Sequence, residues 1–247
     1  MSYFLYDAPL HPGQTVPFQG EEARHLLKSR RMRNGERFAL QDPAGSRFSA
    51  ELVDIRRDTA TVTIIAPLPL PAPPRRQVAL IQGAVKEKAT DWIIQKGTEL
   101  GLARLAFFTS HHGTVTNKSL GSPKTRIRWE RIAWEACKQS DRQFPPEIEV
   151  EDALASVLTS LGPGSGGRRW LLDPEASQSI GEALAGLDSQ GRAGENSLHL
   201  LVGPEGGLSS REKELAREAG FTAVGMGGNI LRAETAALAA CALSLLG

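Results

Sequence analysis

The sequence predicts a two-domain α/β chain: a small β-rich unit, then a larger domain whose mostly parallel sheet is covered by helices on both faces. Three observations carry this reading. Residues 67–74 read PLPLPAPP, five prolines in eight positions, which suit neither a helix nor a central strand, so a Pro-rich linker is placed at 69–76. Before it, apolar and β-branched runs are separated by short turn-like breaks. After it, apolar runs alternate with helix-like stretches. The chain has 247 residues, 40% of them apolar and 23% charged, enough for two cores.

In the first domain, residues 1–68, FSAELVDI (48–55) and TATVTIIAPL (59–68) read as strands, and DPAG (42–45) as a turn. In the second, residues 77–247, the strand-like runs are VALIQGAV (78–85), LAFF (105–108), WLLD (170–173), LHLLVG (198–203) and FTAVGM (221–226). Helices are expected over 87–100, 127–140, 175–187, 210–219 and 234–246, and GPGSGGRR (162–169) reads as a glycine-rich loop. The last helix is apolar nearly all round, which demands burial in the sheet core or at a subunit interface. No internal repeat or heptad is present.

Several classes fall away. No run approaches the ~18 uncharged apolar residues of a membrane helix. The start, MSYFLYDAPLHPGQ, lacks the basic and apolar regions of a signal peptide, so a cytoplasmic protein is expected. Cys137 and Cys241 have no Cys or His at ligand spacing, which leaves a disulfide scaffold and a cysteine metal site without basis. The adjacent pair His111 and His112 has no carboxylate motif beside it, so no metal is expected there.

The net charge is +1, but its distribution is uneven. Residues 24–37 carry Arg24, Lys28, Arg30, Arg31, Arg33 and Arg37 against Glu36. Residues 118–142 carry Lys118, Lys124, Arg126, Arg128, Arg131, Lys138 and Arg142 against Glu130, Glu135 and Asp141. Two basic segments on a near-neutral chain fit a localised footprint for a polyanion such as RNA; on charge alone they fit solvated helix faces as well.

Two glycine turns follow strands. LHLLV runs into Gly203-Pro204-Glu205-Gly206-Gly207-Leu208, and Ser209 with Glu212 has capping-box spacing for the next helix. Gly225-Met226-Gly227-Gly228-Asn229 leads into Ile230-Leu231-Arg232-Ala233-Glu234. If their strands are neighbours, both turns lie at the carboxyl edge of the sheet, where open α/β folds bind ligands. Neither is a G-x-G-x-x-G fingerprint nor a Walker A loop, which disfavours a nucleotide-dependent dehydrogenase.

The string LLVGPEGGLSSREKELAREAGFTAVGMGGNILRAETAALAA (200–240) resembles the C-terminal signature of the RsmE family of 16S rRNA (uracil-N3) methyltransferases, in the SPOUT superfamily. The likeness extends upstream through Lys86, the run Ile94 to Gly101, the run Glu135 to Arg142, and Pro146, and more weakly through His25, Arg31 and Gly35. One departure stands out. Where the family has an acidic-Arg-Ser/Cys turn, this chain has Thr109-Ser110-His111-His112, replacing a permanent charge with a weaker, pH-dependent one.

The resemblance implies a PUA-like β-barrel over 1–68 and a SPOUT domain with a deep trefoil knot at about 198–247, which no periodicity could show. It implies S-adenosyl-L-methionine as methyl donor, held by Leu201, Val202, Gly203, Pro204, Gly206 and Gly207 from the first turn. Gly225, Met226, Gly227, Ile230, Leu231 and Ala236 would complete that site. It also implies a homodimer through the knot and C-terminal helix, and 16S rRNA in the small ribosomal subunit as partner. Arg24, His25, Arg30, Arg31, Arg33, Lys86, Arg131, Lys138, Gln139 and Arg142 are the expected RNA contacts, on either side of the catalytic cleft.

Uracil N3 carries a hydrogen that must leave before its lone pair attacks, which calls for a base, a cation or both. Arg232, Glu234 and Glu205 are the charged side chains among the binding loops: Arg232 to orient or stabilise the base, Glu234 or Glu205 to take the proton. Carbon-5 methylation would need a nucleophilic thiolate, which neither cysteine is placed to provide. The alternatives are a SPOUT methyltransferase acting on another RNA or position, and a catalytically silent RNA-binding relative.

Overall fold

The computed structural model describes residues 3–115, 120–161, 167–190 and 197–246; Lys118 and residues 162–166 of the glycine-rich loop lie outside them. The chain divides into two compact units. One comprises Met1–Ala72 and Cys137–Phe144, the other Pro73–Ala136 and Pro145–Gly247. The break after Ala72 falls inside the Pro-rich linker. That 137–144 joins the first unit is a departure from the sequence reading, which assigned the segment to the second domain.

In the first unit, β1 (Tyr3–Leu5), β2 (Thr15–Phe18), β3 (Arg37–Gln41), β4 (Arg47–Arg56) and β5 (Thr59–Pro67) form a PUA-like sheet in the order β1-β3-β4-β5-β2. Along β5, Ala60, Val62 and Ile64 alternate inward, the period-two pattern of a half-buried strand. Two register shifts between β4 and β5 bend the sheet around its core. Phe4 meets Phe18 and Phe38 edge-on at 6.2 and 5.7 Å, filling the centre with aromatic contacts. Helix α1 (Gly20–Arg24) passes into a π-helical turn, His25–Ser29, and buries Ala23 and Leu26 against this core.

Arg47 explains the added segment. It is 4% exposed, and its guanidinium lies 3.9 Å over the Tyr3 ring. It donates to Gln41 at 2.9 Å and to the Asp141 carbonyl at 2.8 Å, and it pairs with the Asp141 carboxylate. The Tyr3 hydroxyl donates to the Arg142 carbonyl at 2.6 Å. Along the same seam the Gln41 amide donates to the Gln143 carbonyl at 2.7 Å, and the Gln143 amide donates to the Gly45 carbonyl at 3.0 Å. The buried guanidinium finds its carboxylate and a carbonyl on Asp141, which keeps 137–144 with the sheet.

The second unit contains β6 (Gln77–Gly83), α2 (Glu87–Leu100), β7 (Arg104–Phe108), α3 (Pro123–Ser140), β8 (Glu147–Glu151) and α4 (Leu154–Leu161). The last turn of α3 belongs to the first unit. The chain continues through β9 (Arg168–Leu172), α5 (Ile180–Gln190), β10 (Ser197–Val202), α6 (Ser210–Glu218), β11 (Thr222–Val224) and α7 (Ala233–Leu246). The strands make one parallel sheet in the order β11-β9-β10-β6-β7-β8. Leu80, Phe107 and Leu200 face one apolar core; their neighbours Ile81, Phe108 and Leu201 face another. Burial on both faces is why these strands read as unbroken apolar runs.

The sequence pattern left β1, β2, β3 and α1 of the first unit unread, and two elements of the second. Strand β8 reads EIEVE and sits at the sheet edge, where Glu149 accepts from Arg104 Nε at 3.1 Å. Its carboxylates need no core, and charge on an edge blocks further pairing. Helix α4 has eight residues, too few for a clear period. In α7, Ala237, Ala240, Cys241 and Ser244 are buried against the unit, while Leu243 and Leu246 are 45% and 73% exposed. Part of its apolar surface is therefore left outside the single chain. No described helix is long and apolar enough to cross a membrane.

His199, in β10, gives the second unit a pH response. Burial, reinforced by Arg169 and Arg104, pushes its imidazole below the ordinary 6.5. The unfolded chain takes up that proton first, so the contribution is full above pH 6.5 and is lost as the pH falls below it. His199→Gln should flatten the fall of Tm on acidification below that point; parallel Tm curves for the two proteins would refute the assignment.

Candidate functional site

At the carboxyl ends of β9, β10 and β11 the second unit encloses a cavity of about 550 Å3. Parallel strands aim their unpaired backbone groups at this edge, and the loops that leave it form the walls. The two glycine turns do line it, but their strands are not neighbours: β9 runs between β10 and β11. Its end therefore contributes Leu171, Leu172, Asp173 and Pro174 to the wall.

The first loop is held by a close approach. A Cβ at Gly83, the last residue of β6, would lie 2.6 Å from Pro204 Cδ and 2.7 Å from Pro204 N. Gln82 is fully buried, and its amide donates to the Gly203 carbonyl at 3.1 Å. The loop ends on the expected capping box. Ser209 Oγ accepts from the Glu212 amide at 3.3 Å, and the Glu212 carboxylate accepts from the Ser209 amide at 2.8 Å.

Charged groups are few on the wall. Asp173, 8% exposed, accepts from Lys213 at 2.7 Å. Burial alone would raise the Asp173 carboxyl, but the Lys213 ammonium and the Glu175 amide donating to it hold it below its ordinary value. Sequence reasoning missed both partners, because 40 residues separate them and neither stands in a glycine turn. The other charged groups on the wall are Glu205 and Arg232.

Of the residues expected at the donor site, Val202, Gly203, Pro204, Gly206 and Gly207 line the cavity, as do Met226, Gly227, Ile230, Leu231 and Ala236. Leu201 instead points into the core. Gly225 is engaged by backbone bonds with Gln178 at 2.8 Å and Ile180 at 2.9 Å. Glu234 stands in the first turn of α7, off the cavity wall, where a carboxylate complements the helix dipole. Asn229, Leu208 and Ala233 also line the cavity. The wall is thus mostly backbone and aliphatic, with a few convergent charges, which suits a compact, partly apolar ligand with charged ends.

The expected RNA contacts divide. Arg24, His25, Arg30, Arg31 and Arg33 are exposed on the first unit, around the π-helical turn. Arg30 lies 5.5 Å over the Phe4 ring, and His25 meets the same ring at 5.6 Å, so the core aromatic fixes the base of this patch. Arg31 holds a left-handed backbone, φ 52°, which stores strain in the patch. Gln139 is exposed and Arg142 half-buried, but Lys138 is 6% exposed and donates to Glu22 at 2.8 Å. On the second unit, Lys86 precedes α2 and Arg131 lies on α3, both exposed.

Burial pushes the Cys137 thiol up to about 11 and that of Cys241 up to about 12, so both stay protonated at neutral pH and neither supplies a thiolate. Among the described residues, no group of three or more His, Cys, Asp or Glu is placed to hold a metal ion.

Comparison with known proteins agrees with this layout. A family profile described as an RNA methyltransferase domain matches residues 72–245, and one described as an RNA methyltransferase PUA domain matches 18–65. Ribosomal RNA small subunit methyltransferase E of Bacillus subtilis is 30% identical, over 91% of this chain and 87% of its own length. The protein of the same name from Synechocystis is 29% identical, over 98% of this chain and 77% of its own. The crystal structure of ribosomal RNA small subunit methyltransferase E from Neisseria gonorrhoeae, bound to S-adenosyl methionine, is similar with a TM-score of 0.82 and 29% identity, covering 98% of this chain and 96% of that one.

The Gly83 approach leads to a stability test. Gly83→Ala forces the methyl group against Pro204, with an expected cost of about 1–3 kcal/mol. Thermal melts and ligand binding at the cavity should both suffer; a variant matching the parent in both would show that the contact does not hold the loop.

Proposed function

We propose the following activity for a chain that belongs to the ribosomal RNA small subunit methyltransferase E family: methylation of N3 of a uridine in 16S rRNA, on the assembled small ribosomal subunit, with S-adenosyl-L-methionine as donor. The chain is an rRNA methyltransferase. The observation that carries the donor assignment is the cavity itself, with walls of glycine turns and aliphatic side chains and two cationic and two carboxylate groups. Such a lining fits a zwitterionic nucleoside. When bound, the donor supplies an already electrophilic methyl group, so the chain's task is alignment and removal of a proton.

In this reading Arg232 faces the uracil and stabilises the negative charge that builds as N3 loses its hydrogen. Glu205, on the cavity wall, takes the N3 proton; Glu234, off the wall, is the weaker candidate. The two protonated thiols favour nitrogen over carbon-5 as the methylated atom. The exposed arginines around the π-helical turn hold RNA phosphates, with Lys86, Arg131 and Gln139 as further contacts. Lys138, committed to Glu22, takes no direct part.

We read residues 198–247 as the knotted segment, a reading supported by β10 lying between β6 and β9 and by family membership. The outward Leu243 and Leu246 of α7 and the 89% exposed Ile230 support a homodimer through this region. In this reading the protein acts in the cytoplasm, where small ribosomal subunits are its substrate.

Isotopically labelled S-adenosylmethionine, incubated with small subunits lacking native uridine-N3 methylation, should leave label on N3 of one uridine, with less on free 16S rRNA and none on transfer RNA. Label on another atom or RNA would replace this assignment. Arg232→Ala should slow single-turnover methyl transfer at saturating donor by about a hundredfold, beyond any loss of donor affinity; an unchanged rate removes Arg232 from the reaction.

For the RNA face, Arg31→Glu should weaken binding and lower the slope of log affinity against log salt by about 1. Equal affinity and slope would move the footprint elsewhere.

A further inference from the structure

The Thr109-Ser110-His111-His112 turn lies directly against the cavity loop. A Cβ at Gly206 would stand 2.8 Å from the His112 carbonyl oxygen and 3.1 Å from His112 Cβ, so the two backbones touch with no room for a side chain. The turn is closed by the Gly113 amide donating to the Ser110 carbonyl at 3.0 Å. One side chain joins turn and loop. Glu212, 8% exposed, accepts the Ser209 amide and hydroxyl on Oε2, at 2.8 and 2.7 Å, and the His111 amide on Oε1 at 3.1 Å.

We propose that Glu212 is a positioning residue for the methyl donor: its second carboxylate oxygen clamps the 109–113 turn onto the Gly203–Leu208 loop and so presets the cavity wall. This rests on the donor-site reading above. The helix cap alone uses one oxygen; the bond to His111 spans 101 residues and does nothing for α6. Burial alone would raise the Glu212 carboxyl, but the donors around it hold it below its ordinary value, which keeps both oxygens available as acceptors. Without the clamp, the loop must be ordered at the moment of binding, and that cost falls on donor affinity rather than on the chemical step.

The backbone donor of the clamp, the His111 N–H, can be removed by itself, and the Ser110 hydroxyl beside the same carboxylate stays in place. His111 is the second residue of its turn, a position that suits proline, and proline has no N–H to donate. His111→Pro should weaken S-adenosylhomocysteine binding by about tenfold, about 1.4 kcal/mol, and raise KM for the donor by a similar factor. kcat at saturating donor should hold. His111→Ala, which keeps the N–H, should bind within about twofold of the parent. Equal binding by the two variants overturns the clamp while leaving the donor site in place. If the parent chain itself fails to bind S-adenosylhomocysteine, the donor reading falls and the clamp with it. Glu212→Gln gives a second reading should the proline variant fold poorly. Its amide oxygen still caps Ser209 while its NH2 faces the His111 N–H, so Tm should hold and affinity fall about tenfold; unchanged affinity would also overturn the proposal.

Discussion

Pro204 rests on bare backbone at Gly83, and the geometry of the catalytic unit depends on that contact. It lets the loop leaving β10 fold back over the end of β6, its partner in the sheet, rather than run out into water. A single methyl group at position 83 would push the loop back by about 1 Å to restore ordinary van der Waals contact. Gln82 fixes the same loop from below through the Gly203 carbonyl, and Glu212 holds its far end. Between these anchors half of the segment is glycine, and it owes its shape to its neighbours.

That dependence explains why so much of the site was legible in the sequence and where legibility stopped. Alternation of apolar runs and helices, two glycine turns and an S-x-x-E box are local signals, and each corresponds to an element found near its expected limits. The contribution of Asp173 was not local. It follows from β9 running between β10 and β11, a choice of strand order that no short window of residues encodes. The glutamates of β8 hid a strand, since an edge tolerates charges that a central strand would reject.

The basic segments show the same limit on charge counting. Lys138 and Arg142 look in sequence like part of one cationic run with Arg131, yet Lys138 closes an internal pair with Glu22 and burial lowers the affinity of Arg142 for its proton. Arg47, in no basic run at all, is the most deeply buried half of the ion pair it makes with Asp141. Positive charge in this chain serves two ends, holding the first unit together and facing outward. Only burial separates them. The exposed cluster around His25–Ser29 is the outward part, and its strained backbone at Arg31 is affordable because Leu26 and Phe4 anchor it from beneath.

The tie between Arg47 and Asp141 also bears on how such proteins can be reassembled over evolutionary time. A module that travels between genes as one uninterrupted stretch must carry its own partners with it. Here the N-terminal sheet leaves eight of its residues, 137–144, beyond the next domain's first strands. A copy of residues 1–72 spliced onto another enzyme would arrive with Arg47 stripped of the Asp141 carboxylate and carbonyl it meets here. Recombination would therefore have to exchange both stretches together, which favours inheritance of the two domains as a pair and slow divergence along the seam between Tyr3, Arg47 and Asp141.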